Sequence, residues 1–361
     1  MLAPADGAGD RGATMTPSSP LLAHLVGSVP LADPTAVFHK VGADLGPYIR
    51  SLPDGETGRR ADWIGFVRRG LGRNPAFEKD TDVGLFQFKQ WDGKVVMEWP
   101  LLRFVAGANR SGVAFETGYA DNAIASYQAF AAARAAGRIP AGVKFQVCAA
   151  TPLAIAYMYV TPKDQADFTA AYSAHLVSEI AKIAAALPHD DLAFQWDVCQ
   201  EVLMWEGFFT QPADYQDAIL GSLAHIGNAV PSGIELGYHL CYGSPADEHC
   251  VIPKDLGVTV AIANGIFARL KRPIRYLHLP VPQDRSDADY VRPLADLALP
   301  EGAQFYLGCV HANDPAGNAQ RLAQAQRFTR VAGIGSECGW GRADPAKLDA
   351  IIAAHKSLIG A

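Results

Sequence analysis

The stretch TPKDQADFTAAYSAHLVSEIAKIAAALPHDDLAFQWDV, residues 161–198, decides the fold. Phe168, Tyr172, Leu176, Ile180, Ile183 and Leu187 recur every three or four residues, which draws one apolar stripe along an α-helix. Thr161 is read as its N-cap, with Pro162 at the first helical position and Asp164 at the third, and Pro188 stops it. Residues 192–198 then form a short apolar run bounded by polar residues, the pattern of a strand buried on both faces. The same alternation extends in both directions. Strands are predicted at 22–27, 143–149, 192–198, 234–242, 274–279, 304–310 and 333–336, with an eighth near 48–52 or 95–99. Asp33-Pro34 and Asp344-Pro345 open two further helices by the same signal. About eight strand–helix units predict the α/β class and a single (β/α)8 TIM barrel over 21–361. No GxGxxG follows the first strand, which argues against a dinucleotide fold. Residues 54–139 have weak strand signals and many Gly, Arg and aromatic residues, and are expected to be long insertions covering one mouth of the barrel.

A chain of 361 residues that is 49% apolar can bury a large core without disulfides or structural metal. The net charge of −6 comes with no basic cluster, so nucleic acid is not an expected partner. No run is apolar enough to span a bilayer, and residues 1–20 lack the basic-then-apolar order of a signal peptide. Their Pro, Gly, Ser and Ala content reads as a disordered leader, with Met15 an alternative start, in a cytoplasmic protein. The six cysteines (148, 199, 241, 250, 309 and 338) are far apart in sequence. In a reducing compartment they are expected as buried small residues, metal ligands or nucleophiles rather than disulfides.

A barrel of this kind carries its chemistry at the carboxyl ends of its strands. His239 and Cys241 are two apart in GYHLCYG, so a strand aims both side chains into one space. Cys338 follows the last strand in GIGSECGWGR. One imidazole and two thiolates form a three-ligand zinc set with a position left open. His311, after FYLGCV, is a candidate general acid–base group. Asp197, with Glu201 four residues on, and Glu56 in LPDGETGRRADW are carboxylates suited to a substrate ammonium group. Gly27 and Ser28 form a turn where backbone and hydroxyl can approach a ligand. The residues Trp63, Trp91, Trp99 and Arg103 of the insertion are candidates to face a flat substrate.

In order along the chain, these motifs resemble the C-terminal catalytic barrel of the cobalamin-independent methionine synthase family. VGSVP is similar to its early substrate-binding turn, and Glu56 stands where that family has a glutamate for the homocysteine amine. CAATP resembles its T-G-P turn, and QWD, ending at Asp197, its Q-I-D segment, whose aspartate also grips that amine. HLC and ECG resemble the zinc-ligand segments, and His311 falls where the family has a proton-donating histidine. The resemblance implies a zinc enzyme that transfers a methyl or other alkyl group to a thiol, with homocysteine and a folate as small-molecule partners. Three features depart from the pattern. The family's zinc glutamate is expected near Pro280, which cannot ligate, so His278, water or an open position takes its place. The D-E-P continuation is replaced by Asp197-Val198-Cys199, and the family's extra N-terminal barrel is missing. Single-barrel relatives also leave open another electrophile and thiol, such as an epoxide with coenzyme M. A metal-free lyase resembling uroporphyrinogen decarboxylase, using Arg59, Arg60 and Asp62, is the rival from another reaction class.

Overall fold

Eight parallel strands line up in the order the repeat predicts: β1 (Leu22–Ala23), β2 (Ser51–Pro53), β3 (Lys144–Ala150), β4 (Leu192–Val198), β5 (Glu235–Leu240), β6 (Tyr276–Pro280), β7 (Gln304–Gly308) and β8 (Gly333–Gly335). This is a computed structural model and describes residues 20–243 and 248–361, so the expected leader, Pro20 apart, lies outside the described residues. Each strand pairs with the next in parallel from β2 to β8, and β8 pairs with β1. Two isolated parallel bridges, Ala23 to Ile49 and Ser28 to Gly55, join β1 to the β2 side and complete the ring. Of the two sites considered for the eighth strand, the first is in the barrel. Val95–Trp99 instead pairs antiparallel with Phe86–Lys89 as a hairpin outside it.

Helices cover the strands, and their caps follow the sequence with one exception. Asp33 accepts a hydrogen bond from the Ala36 amide (2.8 Å) and Asp344 one from Ala346 (2.9 Å), each just before a proline. Thr161 makes no side-chain cap; Pro162–Asp164 is a 3-10 turn, and the α-helix runs from Gln165 to Ala186. The Asp164 carboxylate is drawn away to the Phe104 amide (3.0 Å), fastening the insertion to this helix. The stripe itself is as expected, with Phe168, Tyr172, Leu176, Ile180, Ile183 and Leu187 all buried.

The insertion leaves β2 and returns at the helix Tyr119–Ala135, and holds two small antiparallel pairs, 77–79 with 102–104 and 86–89 with 95–99. Trp99 is buried with its indole N–H on the Met158 carbonyl (2.8 Å), and Arg103 is committed to Glu78, Asp80 and Asp82. Neither faces the barrel mouth as a free surface. Trp91 is exposed, over a cavity of about 570 Å³ that Phe86, Phe208 and Phe209 also line.

The inside of the barrel is polar. Residues two apart along a strand share a face, so Gln195 and Asp197 point inward while Phe194, Trp196 and Val198 pack outward against the helices. His24 donates to the side-chain Oε1 of Gln195 (3.0 Å) and stacks on Tyr306. Gln146 accepts from Ser51 (2.5 Å) and donates to the Leu25 carbonyl (2.9 Å). A satisfied polar network of this kind specifies one packing, because each lost bond leaves a buried group unpaired.

Closure of the ring depends on Gly333, the register partner of Leu22 and Tyr306. A Cβ here would run into the Leu22 carbonyl of the neighbouring backbone and the Tyr306 ring. Backbone cannot rotate out of the way as a flexible side chain can. Gly333→Ala is therefore expected to destabilise the fold by about 3 kcal/mol, at the upper end of ordinary overpacking, read as a lowered denaturant midpoint at unchanged m.

Candidate metal centre and substrate pocket

His239 and Cys241 emerge at the carboxyl end of β5, and Cys338 in the turn after β8. Their ligand atoms, one imidazole nitrogen and two sulfurs, all lie within 4.8 Å of one another. Cys241 is fixed by its amide, which donates to the Val198 carbonyl of β4 (2.9 Å). The His239 ring is fixed by His278, its register partner on β6, across an Nδ1 to Nδ1 hydrogen bond of 2.8 Å. That bond leaves Nε2 of His239 for the cluster, where it is buried without a protein hydrogen-bond partner. A buried, unpaired imidazole nitrogen beside two sulfurs fits a soft or borderline cation.

His278 is one of the sequence candidates for the fourth position. Its Nδ1 is committed to His239, and the rest of its ring fills the space that Gly308 and Gly335 leave by having no side chain. Through that bond it orients the His239 ring, as the second partner of a metal-bound histidine commonly does. Burial first, then the neighbouring His239 and His24, hold its pKa well below the ordinary imidazole value, so it stays neutral. Cys199 is hydrogen-bonded to Cys241. The Cys241 bond first, then Arg342 and His239, hold Cys338 well below the usual thiol range against the opposing cost of burial. In the pair, Cys338 is the sulfur favoured as thiolate.

Two carboxylates stand beside the sulfurs. Asp197 ends the inward face of β4 and accepts from Gln195 (2.8 Å). Glu56 follows Gly55 in a turn where both have positive φ, 48° at Glu56, a conformation a non-glycine residue holds only when its surroundings impose it. The Glu56 amide donates to Asp54 (3.0 Å), which also binds Arg60. Gly27 makes the space: a Cβ there would lie 3.2 Å from the Glu56 carboxylate. Burial lifts Glu56 to about 7, with Asp54 and Cys338 adding to it and Arg60 and Arg342 opposing. Burial and then Glu56 raise Asp197 well above its ordinary range. Two buried acids, both raised by burial and by the nearby Cys338, and Asp197 by Glu56 as well, make a pocket that favours a cation.

The other sequence candidates are less free. The Ser28 hydroxyl accepts the Gly341 amide (3.1 Å) and its carbonyl accepts that of Trp340 (2.7 Å), which ties the first turn to the turn bearing Cys338. His311 is held through its Nε2, which donates to the Val281 carbonyl (3.1 Å). Glu201 is fully buried and accepts the Thr151 hydroxyl, with its other oxygen unpartnered; burial lifts it to about 7. Its folded pKa lies above that of the unfolded chain, so wild-type folding loses stability as pH rises from about 4.3 to 7 through this group. Glu201→Gln removes that titration. The variant is expected to gain about 2 kcal/mol relative to wild type between pH 5 and pH 8, measured by denaturant unfolding at both. For the lyase alternative, Arg60 is paired with Asp54 and Asp62 with Arg69, so two of its three groups are already engaged.

No family profile matches the sequence, and no curated protein does. Solved structures do match in fold. A Listeria monocytogenes protein assigned as a vitamin-B12-independent methionine synthase aligns with a TM-score of 0.57 at 12% identity, over 95% of this chain and 98% of its own. A B12-independent methionine synthase from Shewanella sp. W3-18-1, solved with selenomethionine, gives 0.55 at 14% identity, over 95% and 97%. A methyltransferase from Methanosarcina mazei gives 0.54 at 8%, over 94% of each chain. The likeness is of fold, and it spans nearly the full length in each case.

Proposed function

We propose that this protein is a zinc-dependent transferase that moves a methyl or other small alkyl group onto the sulfur of a thiol. The reading rests on one observation: an imidazole and two sulfurs meet at the carboxyl end of the barrel, beside two buried carboxylates. The likeness in fold to methionine synthases and a methyltransferase supports it.

His239, Cys241 and Cys338 would hold the metal. Zinc in such a set supplies the positive charge that keeps a thiol ionised near neutral pH, where a free thiol of pKa about 8.5 is mostly protonated. Glu56 and Asp197 bind an ammonium group on the acceptor, with Gly27, Ser28 and Glu201 shaping that side of the pocket. His311 gives a proton to the departing nitrogen or oxygen of the donor. Homocysteine as acceptor and a methylated folate as donor agree with the sequence resemblance, and the aromatic cavity beneath the hairpin suits a flat donor. A cytoplasmic setting suits thiols that must stay reduced, and all six cysteines are free. No described helix is long and apolar enough to cross a membrane.

The test is metal content by mass spectrometry on protein purified without added zinc, followed by alkyl transfer across panels of thiols and donors. About one zinc per chain and zinc-dependent transfer to a thiol are expected. Full activity in metal-free protein would end this reading.

A further inference from the structure

Two imidazoles meet one carboxylate at the barrel mouth, next to Cys338. Glu337 precedes that cysteine; its Oε1 lies 3.1 Å from Nε2 of His249 and its Oε2 4.0 Å from Nδ1 of His311. His249 lies on the loop after β5, and its carbonyl accepts the Trp91 amide (3.1 Å), so the outer hairpin helps to fix it. His311 lies on the turn after β7. Asn318 grips its backbone from both sides, accepting from its amide and donating to its carbonyl, each at 2.9 Å. Because His311 Nε2 faces the Val281 carbonyl, that nitrogen carries the hydrogen. A second proton must therefore add at Nδ1, the atom facing Glu337.

We propose that Glu337 is a positioning residue shared by His249 and His311, one oxygen to each ring, which makes His249 a second acid–base group of the site. When His249 carries a proton it holds the carboxylate; when it releases the proton, the carboxylate is free to close on His311. The other charged groups on the two rings differ. Arg321, from the helix Pro315–Gln326, and Asp314 face His311, whereas Asp284 and Glu248 face His249. Burial and Arg321 lower His311, with Glu337 and Asp314 opposing. At His249 the cost of burial is outweighed by Glu337, aided by Asp284 and Glu248, and the pKa rises. The two rings thus titrate apart, as a proton store and a proton user require.

What the proton is used for rests on the alkyl-transfer reading; the coupling itself does not. The experiment follows both imidazoles by NMR in full-length, zinc-loaded protein with ¹³C-labelled histidine, the signals assigned from His249→Phe and His311→Phe. Glu337→Gln is expected to lower both midpoints, that of His249 by about one pH unit, and Glu337→Asp to lower each by less. His249→Phe is expected to raise the His311 midpoint, since no second ring then competes for the carboxylate. The proposal is overturned if Glu337→Gln leaves both midpoints in place, or if His249→Phe leaves that of His311 unmoved or lower. Coupled titrations in a protein that alkylates no thiol would uphold the proposal and reject the reading of the reaction.

Discussion

Cys338→Ser is expected to lose its zinc during purification and at least ~10³-fold of its turnover, while the barrel still folds. The magnitude follows from what the site must supply. Charge stabilisation by a metal is worth several kcal/mol at the reacting atom, and each 1.4 kcal/mol is a factor of ten. Cys338 is the sulfur favoured as thiolate, through its bond to Cys241 and the charge of Arg342, and a hydroxyl in its place removes one of the two sulfur donors of the set. The fold should tolerate the change, since Cys338 is only partly buried and lies outside the large apolar core. Metal analysis and circular dichroism on one preparation separate the effects. His278→Ala provides the graded control: it leaves all three ligands and removes only the partner that orients His239, which ordinarily costs 10–100-fold in affinity or activity. A Cys338→Ser protein that keeps both its zinc and its rate would show that the cluster is not the working site.

Asp197→Asn is expected to raise KM for an amino-thiol acceptor about 10²-fold or more, with a smaller change in kcat. A buried carboxylate facing an ammonium group loses roughly 3–5 kcal/mol of interaction when its charge is removed, because the ammonium is then left without a partner away from water. Glu56→Gln should act in the same direction, and the pair should be strongly non-additive because Glu56 raises Asp197 and both would face one ammonium group. The same variants separate two acceptor classes. An anionic thiol without an amine, such as coenzyme M, gains nothing from two carboxylates, so the neutral variants should improve its binding or leave it unchanged. Steady-state kinetics with both kinds of thiol decide the matter. Wild type that prefers the anionic thiol, with KM for an amino thiol unmoved in Asp197→Asn, would reject the ammonium pocket. The pH dependence has a definite sign: with Glu56 lifted to about 7, affinity for the ammonium should rise as pH increases through that value and the carboxylate ionises.

Much of this molecule is written in local patterns. The stripe from Phe168 to Leu187 and the run ending at Asp197 are a helix and a strand because their apolar spacing matches those two periods. Repetition of the unit then leaves a parallel barrel as its natural closure, and the strand-end rule picks out His239, Cys241 and Cys338. Spacing within one strand puts His239 and Cys241 on a common face. That Cys338, 97 residues beyond Cys241, comes within reach of both is decided by the ring, and specifically by the seam at Leu22 and Gly333.

The parts that sequence alone did not yield are those where two segments must be known together. His278 is two residues before Pro280, but its part depends on register: it pairs with His239 across neighbouring strands, in space left by Gly308 and Gly335. Glu337 lies in the ECG motif and His249 in none, but nothing in either segment pairs them, and their meeting depends on a loop after β5 and a turn after β8 converging at one mouth. Thr161 does not cap because its hydroxyl is bonded instead to the Asp80 carboxylate of the insertion, a partner far off in sequence, and the first turn tightens into a 3-10 turn. Periodicity is a property of one segment and is legible along the chain. Coordination, proton sharing and ring orientation are properties of several segments at once, and folding decides them.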